Sequence, residues 1–235
     1  MRAIIFDFFG TLSDPAAEAE RLATFAATAE SLGVPADRFT TAMTESFGQR
    51  ITGSYGGTRD TLLAMARACG VEPAPSRLDA AVTVHRTGAE RLRRPRPEAL
   101  RVLGEVRARG YAVGLLSDCS SELCEAWPGT PYANLVDAPV FSWREGRRKP
   151  DPRLYATVSD RLGVAPAECW YVGDGGGREH DGARLAGMRP VLVTNVRYPE
   201  AGRFRTDPDT FVPPHRIPDL SPLPALVERA GDGQP

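Results

Sequence analysis

Four polar side chains stand where they could carry out chemistry on a bound anion. Asp7, Ser117 and Asp174 each follow an apolar run, and Lys149 lies in a loop before a helical pattern. A carboxylate at such a place attacks phosphorus or carbon. A second carboxylate with a metal, a hydroxyl and a lysine then holds the negative charge of the substrate. The residue types indicate a nucleophilic site built on Asp7.

The elements that must position these residues are strands alternating with helices. Four short apolar runs predict buried strands; they are residues 3–6, 111–116, 169–172 and 190–194. Helical patterns over residues 97–109, 152–162 and 182–186 lie between them. This alternation predicts an α/β fold with a Rossmann-like, doubly wound parallel sheet. Because the carboxyl ends of parallel strands share one edge, we expect the polar residues that follow them to meet there.

The segment from residue 14 to residue 95 has a different pattern. It lacks strand-like runs and is punctuated by glycine and proline, which predicts helices over residues 16–32, 36–49, 59–69 and 76–92. We expect a small all-helical cap domain (14–95) over a core formed by residues 1–13 and 96–235, with a hinge at Arg94 to Pro97. In the cap, Arg50, Tyr55 and Arg59 are candidates for contacts with a substrate.

Composition narrows the class of protein. With 235 residues, 42% of them hydrophobic, the chain can form a core domain and a smaller attached one. Lys and Arg number 29 against 30 Asp and Glu, which gives no electrostatic reason to expect a nucleic acid or membrane partner. No stretch approaches the roughly 18 apolar residues of a membrane span. Four cysteines without a C-x-x-C pair favour reduced thiols and a cytoplasmic location. The expected partner is a small-molecule substrate, and no residue pattern defines an oligomeric state.

Four segments, in order along the chain, resemble the motifs of the haloacid dehalogenase superfamily. Ile5 to Leu12 (IFDFFGTL) resembles the first motif, Leu116-Ser117 the second and Arg148 to Asp151 the third. Val172 to Asp174, followed by Glu179, resembles the fourth. The helical segment is similar in position and size to the cap that this family carries after its first motif. The resemblance spans residues 1–195 and implies a hydrolase.

The resemblance implies a role for each matching residue. Asp7 is the nucleophile that forms a covalent aspartyl intermediate. Thr11 supports the loop of the first motif and contributes to substrate binding. Ser117 holds the phosphoryl oxygens together with a neighbouring backbone N–H, and the adjacent Asp118 lies at the substrate. Lys149 offsets negative charge on the nucleophile and the substrate.

The resemblance also implies a Mg²⁺ site. Its ligands are the carboxylates of Asp7, Asp174 and Glu179 and the backbone carbonyl of Phe9. Carboxylate and carbonyl oxygens suit the preference of Mg²⁺ for hard donors. Asp181 is an alternative to Glu179 as the second acid, and the spacing favours Glu179.

Phe9 is the main departure from the family pattern. Phosphatases of this superfamily carry a second Asp two residues after the nucleophile, where it acts as general acid and base. Phe9 cannot transfer a proton, and such help is worth about 10²–10⁴-fold in rate. Asp118 is a candidate replacement. The dehalogenases of the family have an aromatic residue at this position and need no acid for halide departure.

Two features oppose dehalogenation. Dehalogenases have Ser-Asn in the second motif, whereas a carboxylate at Asp118 would repel a leaving halide. They also lack the Gly-Asp of the metal motif, which Gly173-Asp174 retains here. The leading hypothesis is a Mg²⁺-dependent phosphatase that acts on a small phosphorylated metabolite through an aspartyl-phosphate at Asp7. The alternatives are a metal-free 2-haloacid dehalogenase and a catalytically silent relative that binds a phosphorylated ligand.

Overall fold

A computed structural model describes residues 2–198, 201, 205 and 207–231 of the chain. The strands are β1 (Ala3–Phe6), β2 (Ala112–Ser117), β3 (Ala138–Phe141), β4 (Cys169–Gly173), β5 (Arg189–Val193) and β6 (His215–Ile217). The helices of the first half are α1 (Arg21–Leu32), α2 (Ala36–Glu45), α3 (Phe47–Arg50), α4 (Thr58–Ala68), α5 (Pro75–Leu92) and α6 (Ala99–Ala108). The later helices are α7 (Ser121–Ala126), α8 (Ser142–Glu145), α9 (Pro152–Leu162), α10 (Glu179–Leu185) and α11 (Leu223–Gly231).

The six strands form one parallel sheet in the order β3-β2-β1-β4-β5-β6. Helices cover both faces, so the central strands β1, β2 and β4 are buried along their whole length. The chain runs from β1 outward to β3 and then returns to β4 on the other side of β1. Ligands bind at such a reversal in doubly wound sheets. The structure confirms the expected α/β, Rossmann-like fold.

Four of the strands match the predicted apolar runs to within one residue at each end, and two were missed. β3 contains Pro139, which is tolerated because β3 is an edge strand. β6 has only three residues and forms the other edge. Neither segment has the unbroken apolar run that a doubly buried strand requires, so the pattern that identified the central strands did not apply to them.

Helices α1 to α5 occupy the segment that was expected to be helical. They pack around an apolar cluster of their own, which includes Phe25, Phe39, Met43, Leu62 and Leu78. Two other clusters lie on the two faces of the sheet. The division into a core and a cap at these boundaries stays a prediction.

The chain enters and leaves the helical segment along two adjacent stretches. Ser13 and Pro95 form an antiparallel bridge. The N–H of Asp14 donates to the carbonyl of Arg94 at 2.8 Å, and the N–H of Arg96 donates to that of Leu12 at 3.1 Å. These contacts hold the two connecting stretches side by side.

In the described part of the chain, none of the helices has both the length and the apolarity needed to cross a membrane.

Candidate active site

The structure brings the predicted chemical residues to the carboxyl edge of the sheet. The N–H of Asp7 donates to the carbonyl of Val172 at 2.9 Å, which extends the pairing of β1 with β4 by one residue. Asp174 follows β4 directly, and Ser117 is the last residue of β2. The carboxylates of Asp7 and Asp174 thus lie on either side of the point where the strand order reverses.

Lys149 joins two of the acids. Its ammonium lies 2.7 Å from Oδ1 of Asp7 and 2.7 Å from Oε2 of Glu179, and 3.4 Å from the hydroxyl of Tyr171. Burial opposes the charge on this ammonium, but the carboxylates of Asp7 and Glu179 outweigh it and raise the pKa of Lys149. Lys149 therefore stays protonated and orients the carboxylate of Asp7.

Three carboxylates cluster at this edge. Asp7, Asp174 and Glu179 each offer an oxygen within 4.8 Å of the others, and all three residues are buried. Burial and the charges of Glu179 and Asp174 raise the pKa of Asp7 to about 8, although Lys149 opposes the shift. Burial likewise raises the pKa of Asp174 to about 6. Burial therefore disfavours the ionised forms of Asp7 and Asp174, and a bound divalent cation would favour them.

Gly10 allows this close packing. Its backbone has a φ of +75°, and a Cβ at this position would lie 2.5 Å from Oδ2 of Asp174. Only glycine adopts this conformation readily, and only glycine leaves room for the carboxylate. The glycine of the first motif therefore shapes the acid cluster.

Glu179 and Asp181 have different surroundings. Oε1 of Glu179 accepts from the N–H of Gly175 at 2.7 Å, and Oε2 accepts from Lys149 and from the hydroxyl of Tyr171. Asp181 instead accepts from Thr210. The geometry places Glu179, rather than Asp181, in the acid cluster, with both of its oxygens already hydrogen-bonded.

A cavity of about 490 Å³ separates this edge from the helical segment. Core residues Asp7, Asp118, Lys149, Asp174 and Glu179 line one side of it. The opposite side is largely apolar, with Phe25, Met43, Phe47, Ala89 and Leu92, and also carries Arg21, Arg50 and Arg93. A space of this size accommodates a small molecule.

The predicted site residues Phe9, Thr11 and Ser117 differ in whether they line the cavity. Phe9 lines it, and the guanidinium of Arg21 lies 5.5 Å from the centre of its ring. Thr11 and Ser117 are fully buried and do not line it. Their hydroxyl oxygens are buried without a hydrogen-bond partner in the described residues. Such a group costs about 1–3 kcal/mol when left unpaired.

The cap candidates Arg50, Tyr55 and Arg59 are not brought together. Arg50 lines the cavity, where its guanidinium donates to the carbonyl of Met43 at 2.8 Å. Tyr55 donates to Gln49 and Arg59 to Asp79, both in exposed positions. Among these three residues, the geometry supports only Arg50 as a substrate contact.

A buried polar network beside the cavity was not predicted. Nε2 of His85, on α5, lies 2.9 Å from Oε1 of Glu122, on α7. The other ring nitrogen lies 3.1 Å from the hydroxyl of Thr28, and Oε2 of Glu122 accepts from Ser120 at 2.5 Å. The network links the helical segment to the core. His85 and Glu122 are 37 positions apart, and no local sequence signal pairs them.

Comparisons with known proteins agree with this architecture. A family model for haloacid dehalogenase-like hydrolases matches residues 1–187. A phosphoserine phosphatase from Thermus thermophilus is 38% identical over 125 residues, which are 53% of this chain and 47% of that protein. The (S)-2-haloacid dehalogenase 1 of a Pseudomonas species is 29% identical over 136 residues, 57% of this chain and 56% of that protein. The chain spans about half the length of these curated relatives.

Solved structures share the fold over nearly the whole chain. A 2-haloacid dehalogenase from Pseudomonas syringae pv. Tomato DC3000 is 24% identical with a TM-score of 0.69, covering 98% of this chain and 99% of that one. A HAD phosphatase from Thermococcus onnurineus is 18% identical with a TM-score of 0.67, covering 97% and 98%. The family model matches most of the sequence, and the chain therefore belongs to the haloacid dehalogenase-like hydrolases.

Proposed function

We propose that the chain is a Mg²⁺-dependent phosphatase that acts on a small phosphorylated metabolite, with Asp7 as the nucleophile. The observation that carries this proposal is the cluster of Asp7, Asp174 and Glu179 within 4.8 Å, with the ammonium of Lys149 bound to two of them. A metal-free reaction has no need for a third buried acid at this place. The phosphoserine phosphatase relative agrees with this choice.

The residues present fit a magnesium ion. The donor set consists of carboxylate oxygens, and burial raises the pKa values of Asp7 and Asp174, an effect that a divalent cation would oppose. Asp7, Asp174 and the carbonyl of Phe9 would hold the ion directly. Glu179 accepts hydrogen bonds from Lys149, Tyr171 and Gly175. It would therefore lie at the edge of the metal site and hold the ammonium of Lys149 in place. When bound, the ion would neutralise the carboxylates and polarise the phosphoryl group.

The chain's own residues then divide the reaction into two steps. Asp7 attacks phosphorus, the bond to the leaving-group oxygen breaks, and an aspartyl-phosphate forms. Water attacks the phosphorus of this intermediate and returns Asp7 as a carboxylate. Lys149 keeps the carboxylate of Asp7 oriented for attack. We propose that residues 14–95 act as a cap that excludes bulk water from the cavity.

Phe9 favours a second candidate, a 2-haloacid dehalogenase. In that reaction Asp7 attacks carbon, and the halide leaves without a proton. The dehalogenase relative is 29% identical to the chain over 136 residues, and the phosphatase relative is 38% identical over 125 residues. Phe9 also favours a third candidate, a catalytically silent relative that binds a phosphorylated ligand.

One side-by-side assay separates these functions. Release of phosphate from p-nitrophenyl phosphate and of chloride from 2-chloropropionate is measured with Mg²⁺ and with EDTA, for the wild type and Asp7→Asn. Metal-dependent phosphate release that the substitution abolishes supports the phosphatase. Chloride release that EDTA does not reduce supports the dehalogenase. Absence of both activities, with inorganic phosphate still binding in calorimetry, supports the silent relative.

The cavity and the cysteines support proposals about the binding partner and the cellular location. The cavity suits a small-molecule partner, and we propose no nucleic acid or membrane partner. All four cysteines are free and buried. Free thiols fit a reducing compartment, which supports a cytoplasmic location.

A further inference from the structure

Phosphate esters with poor leaving groups need a proton on the departing oxygen, and Phe9 cannot supply one. Asp118 places a carboxyl group in the same cavity as Asp7 and Lys149. Its Oδ1 accepts from the backbone N–H of Lys149 at 3.0 Å, which fixes the orientation of the side chain. Its Oδ2 lies beside Gly177, where an added Cβ would approach it to 3.2 Å. Asp118 is partly exposed, and its side chain lines the cavity.

The other carboxyl groups on the cavity wall are engaged. Among the described residues, each lies against a basic side chain: Glu18 against Arg21, Glu122 against His85, Asp174 against Arg205, and Asp7 and Glu179 against Lys149. Asp7 is in addition the nucleophile of the proposed function. Asp118 is held by a backbone N–H instead, and in the part of the chain that the structure describes no ion pair involves its carboxylate. It is therefore the carboxyl group of this wall that is available for proton transfer.

The surroundings of Asp118 suit this task. Burial raises its pKa to about 6, and the nearby charge of Glu179 adds to the increase. The ammonium and backbone N–H of Lys149 and the guanidinium of Arg148 oppose it. A general acid is most effective when its pKa lies near the working pH, because both protonation states are then populated.

We infer that Asp118 is the general acid and base of the reaction, in place of the acid that the family carries two residues after its nucleophile. This inference rests on the proposed phosphatase function. In the first step, the Asp7–phosphorus bond forms, the bond from phosphorus to the leaving oxygen breaks, and the proton of Asp118 goes to that oxygen. In the second step, water forms the new bond to phosphorus, the Asp7–phosphorus bond breaks, and Asp118 takes a proton from the water.

The test compares leaving groups in wild type and Asp118→Asn. The asparagine oxygen still accepts from the N–H of Lys149, so positioning is preserved while the acid is lost. The measured quantity is kcat/KM with Mg²⁺ for p-nitrophenyl phosphate, whose leaving group needs no proton, and for an alkyl phosphate, whose leaving group does. We expect a loss below about tenfold for the first ester and of about 10²–10⁴-fold for the second.

The pH dependence provides a readout that a structural role would not change. For the alkyl ester, kcat/KM of the wild type falls as pH rises through about 6, because the proton donor is lost. Asp118→Asn lacks this limb. Asp118→Glu, which retains an acid, should recover part of the alkyl-ester activity. This recovery would show that the loss in Asp118→Asn comes from the missing acid and not from a folding defect.

Two outcomes overturn the inference. Equal losses for both esters, which leave the ratio of the two rates unchanged, would show that Asp118 only positions Lys149. No loss for either ester would show that another group supplies the proton. Either result leaves the phosphatase function intact if the wild type hydrolyses p-nitrophenyl phosphate. No hydrolysis of that ester by the wild type would reject the proposed function itself, and this inference with it.

Discussion

Arg205 places its guanidinium against Asp174, an acid of the proposed metal site, with Nε 3.0 Å from Oδ2. Both residues line the cavity. The carboxylate that would bind a divalent cation is thus paired with a cation of the protein itself. Oδ1 of Asp174 has only a 3.4 Å contact with the N–H of Gly176, so this oxygen is open to a metal, and the positive charge of Arg205 would oppose the binding of a cation there.

Arg205→Ala should therefore bind Mg²⁺ more tightly than the wild type. Removing one positive charge beside the acid cluster strengthens its attraction for a divalent ion, by on the order of fivefold for a partly exposed arginine. Isothermal titration with Mg²⁺ alone, without substrate, measures the effect. Arg153→Ala, which removes an exposed arginine whose ion pair among the described residues is with Asp151, is the matched control. Unchanged or weaker binding in Arg205→Ala would show that the pair does not compete with the metal.

Gly10 offers a test of how the acid cluster is built. Gly10→Ala forces an L side chain into a positive φ and places a methyl group against Asp174. We expect a loss of about 1–2 kcal/mol in the free energy of unfolding, together with weaker Mg²⁺ binding. Urea unfolding and metal titration measure the two effects.

Gly104→Ala is the control for this substitution. Gly104 lies inside α6 with nothing within 4 Å of the added Cβ. The change should stabilise the protein by up to about 1 kcal/mol and leave Mg²⁺ binding unaltered. If both substitutions had the same effect, the conformation of Gly10 would not matter to the site.

The link between Glu122 and His85 predicts a pH dependence of stability. Burial alone would raise the pKa of Glu122, but His85, Arg50 and the hydroxyl of Ser120 outweigh it, so the pKa lies below the usual 4.5. A depressed pKa in the folded state means that this stabilisation is complete above 4.5 and is lost as pH falls through the folded value. Glu122→Gln should cost about 3–5 kcal/mol at neutral pH, because it breaks a buried pair.

The check is the stability difference between wild type and Glu122→Gln, measured by urea unfolding at neutral pH and at several values below 4.5. We expect the difference to shrink as the solution becomes more acidic, since the wild-type carboxyl then also loses its charge. A difference that stays constant with pH would mean that the ionised form of Glu122 contributes nothing to docking of the helical segment.

The central strands and the residues at their ends could be predicted from the sequence for one physical reason. A strand buried on both faces needs an unbroken apolar run, so β1, β2, β4 and β5 are recognisable, and the parallel arrangement places Asp7, Ser117 and Asp174 on one edge. The edge strands β3 and β6 carry weaker patterns, since one side of each is unpaired, and they were missed. The α/β class depends on the central strands and was predicted correctly.

The side-chain pairs around the cavity could not be predicted in the same way. Lys149 and Asp7 are 142 positions apart, and their pairing followed only from the family resemblance. Arg205 is one of 29 basic residues, and nothing local distinguishes the one that reaches Asp174. His85 and Glu122 meet because α5 packs against α7. Such pairs depend on how helices dock, which a local pattern does not encode.

The proposed function requires that Asp7 attacks phosphorus, and trapping the covalent intermediate tests this claim. The protein is mixed with Mg²⁺ and p-nitrophenyl phosphate, quenched in acid within the first turnover, and digested for mass spectrometry. We predict that the peptide containing Asp7 carries one phosphoryl group, that EDTA prevents this, and that the Asp7→Asn protein remains unlabelled. Steady release of phosphate without any label on Asp7, or with the label on another residue, would contradict the claim.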